Sequence, residues 1–210
     1  MYCPPQFRED RLDVMHALMR AHPFGVLVTA GAGGLMANHL PFLIDESVPG
    51  MGVLRGHLAR ANDQLQALQD GAEALIVFNG PQAYVSPSWY PSKTEHGKVV
   101  PTWNYVTVHA WGTPRIMEHA GWLRRQLTDL TDAQEQDKPN PWAVTDAPEP
   151  FIASMSQAII GLEIPIARIE GKWKVSQNRS HNDRQGVVDG LRHEGTQNEA
   201  MAALVAAKTG

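Results

Sequence analysis

The sequence predicts a β-rich α+β fold, an antiparallel Greek-key barrel with peripheral helices. Three observations predict it. Six or more short β-rich runs follow one another in hairpin order, helical segments sit between them and at both ends, and no glycine-rich turn joins a strand to a helix as a doubly wound sheet would require. Gly31-Ala-Gly-Gly34 lies between two strands, so it fails the context of a dinucleotide loop.

Asp10 opens a segment whose apolar positions Leu12, Met15, Leu18 and Met19 recur at helical spacing and which ends near His22-Pro23. Phe24–Thr29 and Leu35–Ile44 then read as two strands of a hairpin, and Val53–Leu58 as a third strand. Asn62 is a good cap for a helix over Asp63–Gln69, and Ala74–Phe78 is an apolar run of the length expected for a strand buried on both faces. Residues 79–99 carry Pro81, Pro87, Pro91 and Gly97 and predict, after a brief strand at Ala83–Val85, a long stiffened loop of the kind that carries function. Bent strands follow between Val99 and Met117, then a helix with Leu123, Leu127 and Leu130 on one face, and a proline-rich connection over Asp137–Pro150. Ile159–Ile169 and Trp173–Val175 predict a final hairpin with Glu170-Gly171 as its turn. Helical tendency returns around Val187–Leu191 and Asn198–Ala207. The expected organisation is one domain over residues 1–191 and a helical or partly disordered tail over 192–210.

Composition narrows the function classes. The 210 residues are 43% hydrophobic, enough for a substantial core, and the net charge of -4 repels phosphate backbones unless a local basic patch exists. Cys3 is the one cysteine, so no internal disulfide and no cysteine-based zinc site can form, which fits a reducing cytoplasm. Met1–Asp10 offers neither a secretory signal nor a membrane span.

Three stretches concentrate groups that a plain core does not require. In Gly56-His-Leu-Ala-Arg-Ala-Asn62 a strand runs into a helix start, where unpaired N–H groups and the Arg60 fork suit phosphate oxygens. In Tyr84–Lys93 and Val100–Tyr105 the hydroxyls of Ser86, Ser88, Ser92 and Thr102 alternate with Trp89, Tyr90, Trp103 and Tyr105, and Lys93 adds a cation. Flat aromatic faces beside hydroxyls suit a planar heteroaromatic ring with a phosphorylated tail, and two tryptophans in this segment point to a ligand or a subunit interface. In Gly171–Ser180, strand alternation puts Lys174 and Ser176 on one face and Val175 and Gln177 on the other. Taken singly, each stretch also reads as structure: a surface arginine with a partly buried His57, a loop anchored by aromatics, and a solvated basic strand edge.

Five blocks, Ala37–Phe42, Gly56–Asn62, Ser86–Tyr90, Val100–Tyr105 and Gly171–Arg179, resemble in content and order the recurring blocks of the PaiB family of FMN-binding negative transcriptional regulators. The resemblance runs from Met1 to about Leu191. It implies an FMN-binding split β-barrel, similar to pyridoxamine-phosphate oxidases and small flavin reductases, working as a homodimer with the flavin cleft at the subunit interface. It further implies that Arg60, Lys93 and Ser88 or Thr102 meet the phosphate, that Trp103 and Asn104 contact the ring or its carbonyls, and that His39 and His57 line the same cleft. Lys174, Ser176 and Gln177 would close the site, from the opposite subunit.

The regulatory part of the family name has no counterpart in the residues. No helix-turn-helix spacing and no broad basic footprint occur, so direct DNA binding is not supported by the sequence. A haem-binding or haem-handling protein on the same barrel is the alternative, since one histidine suffices as an axial ligand. No metal site is expected from histidine spacing, because His39, His57 and His109 are separated by whole strands. No Gly-x-Ser-x-Gly elbow surrounds Ser86 or Ser88, which excludes the usual serine hydrolase arrangement.

Overall fold

A computed structural model describes residues 1–208. In chain order its elements are β1 (Arg8–Glu9), α1 (Leu12–Ala21), β2 (Phe24–Gly31), β3 (Gly34–Pro41), β4 (Leu43–Asp45), β5 (Val53–Ala59), α2 (Gln64–Gln69), β6 (Ala74–Val85), α3 (Ser92–His96), β7 (Thr102–Gly112), β8 (Arg115–Met117), α4 (Ala120–Glu135), α5 (Glu149–Gln157), β9 (Ile159–Pro165), β10 (Arg168–Lys174), α6 (His181–His193) and α7 (Glu199–Ala206). The strands form a six-stranded sheet, ordered β1-β10-β7-β6-β2-β3, and a four-stranded sheet, ordered β4-β5-β9-β8. The fold is the expected β-rich α+β split barrel, mostly antiparallel, with the two sheets left unclosed. Two compact units divide the chain. One comprises Met1–Leu18, Asn79–Val108 and the described residues from Glu170 onward, and the other Met19–Phe78 and His109–Ile169.

In the unit containing β2 and β3, the sheet switches at Phe42. Pro41 has no N–H to extend the β3 ladder, and the chain leaves the first sheet there and enters the second one residue later. The sequence predicts one strand over Leu35–Ile44; the structure breaks it at this corner. The Phe42 amide donates to the Pro23 carbonyl at 2.8 Å, and its ring, 2% exposed, meets Phe78 edge-on at 5.9 Å. Glycines make the room. A Cβ on Gly56 would stand 3.0 Å from the Phe42 ring and one on Gly25 3.2 Å from it.

β6 departs from expectation in a second way. Ala74, Ile76 and Phe78 are fully buried while Leu75 and Val77 are only half-buried, so its apolar run faces the core on one side. β5 pairs with β9 over its whole length, from Val53 opposite Pro165 to Ala59 opposite Ile159, and Leu54, Leu58, Ile160, Leu162 and Ile164 fill the space beneath. Across the other face of this sheet lie α4, started by His119 whose Nδ1 accepts from the Gly121 amide, and α5, for which the sequence pattern gave no warning. The Trp122 ring covers Gly161, where a Cβ would come within 2.2 Å of it.

The expected final hairpin is corrected by the structure. β9 belongs to the four-stranded sheet and β10 to the six-stranded one, so the two are not partners. Gly171, read as a turn, lies inside β10 opposite Glu9, and a Cβ there would meet the Glu9 carbonyl at 2.8 Å. It is a close-approach glycine, which leaves the same mark in a sequence as a turn glycine.

In the unit holding the chain's N-terminal strand, the predicted loop over 79–99 is more ordered than expected. β6 runs on to Val85, a short turn of 3-10 helix spans Pro87–Trp89, and α3 follows. α6 is capped by the Ser180 hydroxyl, which accepts from the Asp183 amide, and packs on α7 through Val187, Leu191, Met201 and Val205. Thr209 and Gly210, the end of the tail expected to be partly disordered, lie outside the described residues. Among the described residues no helix is long and apolar enough to cross a membrane.

Phe42→Ala should cost about 3–5 kcal/mol by removing the ring around which the strands turn, measured as the shift in chemical unfolding free energy; a change under about 1 kcal/mol would show that the corner does not depend on it.

Candidate functional site

A dense polar arrangement lies where the start of β7 and the end of β10 are neighbours. The Lys174 ammonium donates to the Thr102 hydroxyl and, at 2.6 Å, to the Trp103 carbonyl. One residue further along β7, Asn104 is buried and its amide nitrogen donates to the Ser176 hydroxyl at 2.9 Å. Ser176 is the one non-glycine residue among those described in the left-handed region, with φ of 63°, a conformation that costs free energy and persists because its surroundings hold it. Its carbonyl accepts from the Arg179 amide. Because β10 ends at Lys174, the alternation that places Lys174 and Ser176 on one face stops short of Ser176; the left-handed turn sets its direction instead.

Gln177 holds this turn from within. Its side-chain carbonyl accepts from the Val175 amide, and its side-chain nitrogen donates to the carbonyls of Trp173 and Gln6. Both ends of the amide are engaged, so Gln177 shapes the site. The half-exposed Trp103 indole donates to the Gln82 side chain at 3.0 Å and packs edge-on against Tyr84.

The segment 86–93 is pinned to α6 and the turn before it. Trp89 lies on Gly186 and Gly190, the Arg179 guanidinium sits 4.9 Å from the centre of the Tyr90 ring, and Ser92 donates through its amide and hydroxyl to Asp183. Within it Lys93 donates to the Ser88 hydroxyl at 3.0 Å, both side chains being exposed.

Charge in this unit is unbalanced in a consistent way. Glu9 is paired with Arg11 and Glu170 with the N-terminal ammonium, while Asp183 is hydrogen-bonded by Ser92 and keeps its charge. Lys93, Lys174 and Arg179 have no carboxylate within ion-pair distance among the described residues. Burial, and then the charges of Lys172 and Arg179, hold the Lys174 ammonium below the ordinary lysine range. Asn104 also keeps an unsatisfied group: its Oδ1 is buried without a partner.

The remaining predicted residues lie in the other unit. Arg60 donates to Glu118 at 2.8 Å and to the Gln157 carbonyl at 3.0 Å, at the rim of a cavity of about 310 Å³ that Arg124, Leu123 and Ile152 also line. The expected helix start does not assist it. α2 begins at Gln64, and Asn62 Oδ1 already accepts from the Gln64 amide at 2.9 Å. His57 faces a second cavity of about 240 Å³, with its Nδ1 unpartnered and its pKa pushed down by burial. His39 is exposed, stacks on Phe24 at 5.7 Å and lines neither cavity. Tyr90 and Arg179 lie in stretches that the sequence singled out, but neither was chosen as a cofactor contact. Strand alternation gave no reason to choose Arg179 in a turn, and the partner that orients it lies 89 positions away.

The family model described as "Putative FMN-binding domain" matches residues 1–168. The chain is also 30% identical to "Protease synthase and sporulation protein PAI 2" of Bacillus subtilis, over 98% of this chain and 96% of the relative. The chain belongs to the PaiB family. An uncharacterized protein of Emericella nidulans is 36% identical to this PaiB-family chain over 93% of it and 92% of the relative. Among solved structures, a conserved hypothetical protein of Mycobacterium tuberculosis shares the fold with a TM-score of 0.60 at 11% identity, over 86% of this chain and 95% of that one. FMN is the cofactor of this family's domain. The unpaired cations and the hydroxyls fit a phosphorylated ligand.

Gly190→Ala would bring a Cβ within 2.3 Å of the Trp89 indole and so displace segment 86–93. The expected cost is about 1–3 kcal/mol in urea unfolding; an unchanged midpoint would mean that this segment is not anchored on α6.

Proposed function

We propose that this PaiB-family chain is a flavoprotein whose FMN phosphate is met by Lys174, Thr102 and Lys93 with Ser88, assisted by Arg179, while Trp103, Asn104 and Ser176 meet the ring or its polar edges. The observation that carries the reading is Lys174, without an ion-pair partner among the described residues and with Arg179 near enough to disfavour its charge, beside the buried pair Asn104 and Ser176. A dianionic phosphate supplies the missing countercharge, and charge-assisted hydrogen bonds are the strong ones. Arg60 is the weaker choice, because Glu118 already answers its charge.

The flavin supplies one- and two-electron chemistry when bound. The chain binds and orients it. Lys174 and Lys93 neutralise the phosphate, Gln177 keeps the 174–179 turn in shape, and the buried Asn104 holds the Ser176 hydroxyl in place. Tyr84 and Trp103 expose aromatic surface in this unit, which supports a homodimer in which a second copy covers the flavin. The net charge of -4 favours a regulatory effect exerted through flavin state and protein partners, with no direct grip on DNA.

Lys174→Met should weaken FMN binding about 10- to 100-fold, read by recovery of free-flavin fluorescence on dilution, and Arg60→Ala should weaken it less. The reverse order would move the phosphate to the Arg60 cavity.

Binding should also depend on pH through Lys174. Phosphate stabilises the charged ammonium, so the bound-state pKa is higher than the depressed free-state value. Affinity is therefore full below the free-state pKa and falls as pH rises through it. The decline should begin clearly below the ordinary lysine value of 10.5, and an affinity flat up to that pH would remove Lys174 from the phosphate.

A further inference from the structure

In the unit that holds β1, one face of the sheet carries more aromatic surface than the proposed flavin contacts use. Alternation puts Lys172 and Lys174 on the same side of β10, and Trp103 and Tyr105 on the same side of β7. The two sides coincide, because the Lys172 ammonium lies 5.1 Å from the centre of the Tyr105 ring. A further ring joins them from outside the strands: that of Tyr2 stands 5.7 Å from the same ammonium. Lys172 is 7% exposed, between two tyrosine rings that attract its charge.

Tyr2 reaches this face because the first residues of the chain are tied along β10. Lys172 donates to the Tyr2 carbonyl at 3.0 Å, the N-terminal ammonium pairs with Glu170, and Gln177 donates to the Gln6 carbonyl at 3.0 Å. Arg8 and Glu9 then pair with Lys172 and Gly171 as β1. The Met1 side chain is largely covered, while Tyr2 next to it is 85% exposed. An aromatic ring left in water on a backbone held at both ends contributes little to the fold and is preorganised for a planar guest. Lys172 is the latch, since it holds the Tyr2 carbonyl and lies against its ring. Two residues of strand, roughly 7 Å, separate it from Lys174. After burial, its charge is the next cause that holds the Lys174 ammonium below the ordinary range.

We infer that Tyr2 is a further contact of the flavin ring, and that Lys172 is the positioning residue that fixes Tyr2 beside it. This role presupposes the FMN site proposed above and adds a wall to it. An FMN whose phosphate Lys174 meets carries its ring a ribityl chain away, and Tyr2, Tyr105 and Trp103 offer aromatic surface on the same face as Lys174. Lys172 acts on the ligand through Tyr2.

The test measures, by fluorescence titration of the full-length protein, the affinities for FMN and for riboflavin, which lacks the phosphate. Tyr2→Leu removes an exposed ring on which the fold does not depend, and it should weaken both flavins about 3- to 10-fold. Tyr2→Phe keeps the ring and should bind both within about twofold of the unaltered protein. Lys172→Met should weaken riboflavin as much as Tyr2→Leu does, and the double variant should weaken it no further, because the latch acts through the ring. Lys174→Met, by contrast, should weaken FMN and leave riboflavin within about twofold. That arm separates the two readings: equal losses of FMN and riboflavin in Lys174→Met count against the phosphate assignment and not against Tyr2. Unchanged affinity for both flavins in Tyr2→Leu, or a Tyr2→Phe variant as weak as Tyr2→Leu, would overturn the inference. Losses that add in the double variant would overturn the role of Lys172. Should Lys172→Met not fold, the two Tyr2 variants decide.

Discussion

Positive charge held without a partner is the constraint on which the functional reading depends. Lys174 stands at the end of β10, partly buried, with Lys172 and Arg179 close enough to disfavour its charge. Two of its donors are fixed by Thr102 and the Trp103 carbonyl, which set its direction without neutralising it. A folded chain does not keep such an arrangement for stability, because removing the charges would relieve repulsion and desolvation together. The strained Ser176 and the unsatisfied Asn104 oxygen beside it are the same kind of cost. An anion supplies the countercharge that Lys174 lacks, and FMN is such an anion.

The fold explains how residues distant in the chain come to share this place. β7 and β10 are sheet neighbours although some sixty residues separate them, so the first residues of one strand meet the last of the other. Segment 86–93 is brought in by a different device, the seating of Trp89 on two glycines of α6 and the Ser92–Asp183 contact. In the other unit Phe42 plays the structural part, turning the chain from one sheet into the other between Gly25 and Gly56. Glycines serve as seats for aromatic rings in both units.

Much of the fold was legible because its signals are local. The spacing of Leu12, Met15, Leu18 and Met19 marked α1, and Gly31–Gly34 marked the hairpin of β2 and β3. What escaped depended on long-range partners. Gly171 carries the same sequence mark whether it turns or admits a neighbouring strand, and only the pairing with Glu9 separates the two. The site was legible as segments and not as pairings: Thr102 with Lys174 and Asn104 with Ser176 were each named from the sequence, but the contact between them comes from sheet order. Arg60 shows the converse, since its local context suggested a free cation and Glu118, fifty-eight residues away, answers it.

The central claim is that the chain recognises its flavin chiefly through the phosphate. The most direct measurement compares the affinities of FMN and riboflavin, identical but for that group, at low and at high ionic strength. Recognition by unpaired cations predicts that FMN binds at least about tenfold more tightly at low salt and that part of this advantage is lost as salt rises. Equal affinity for the two flavins would contradict the account.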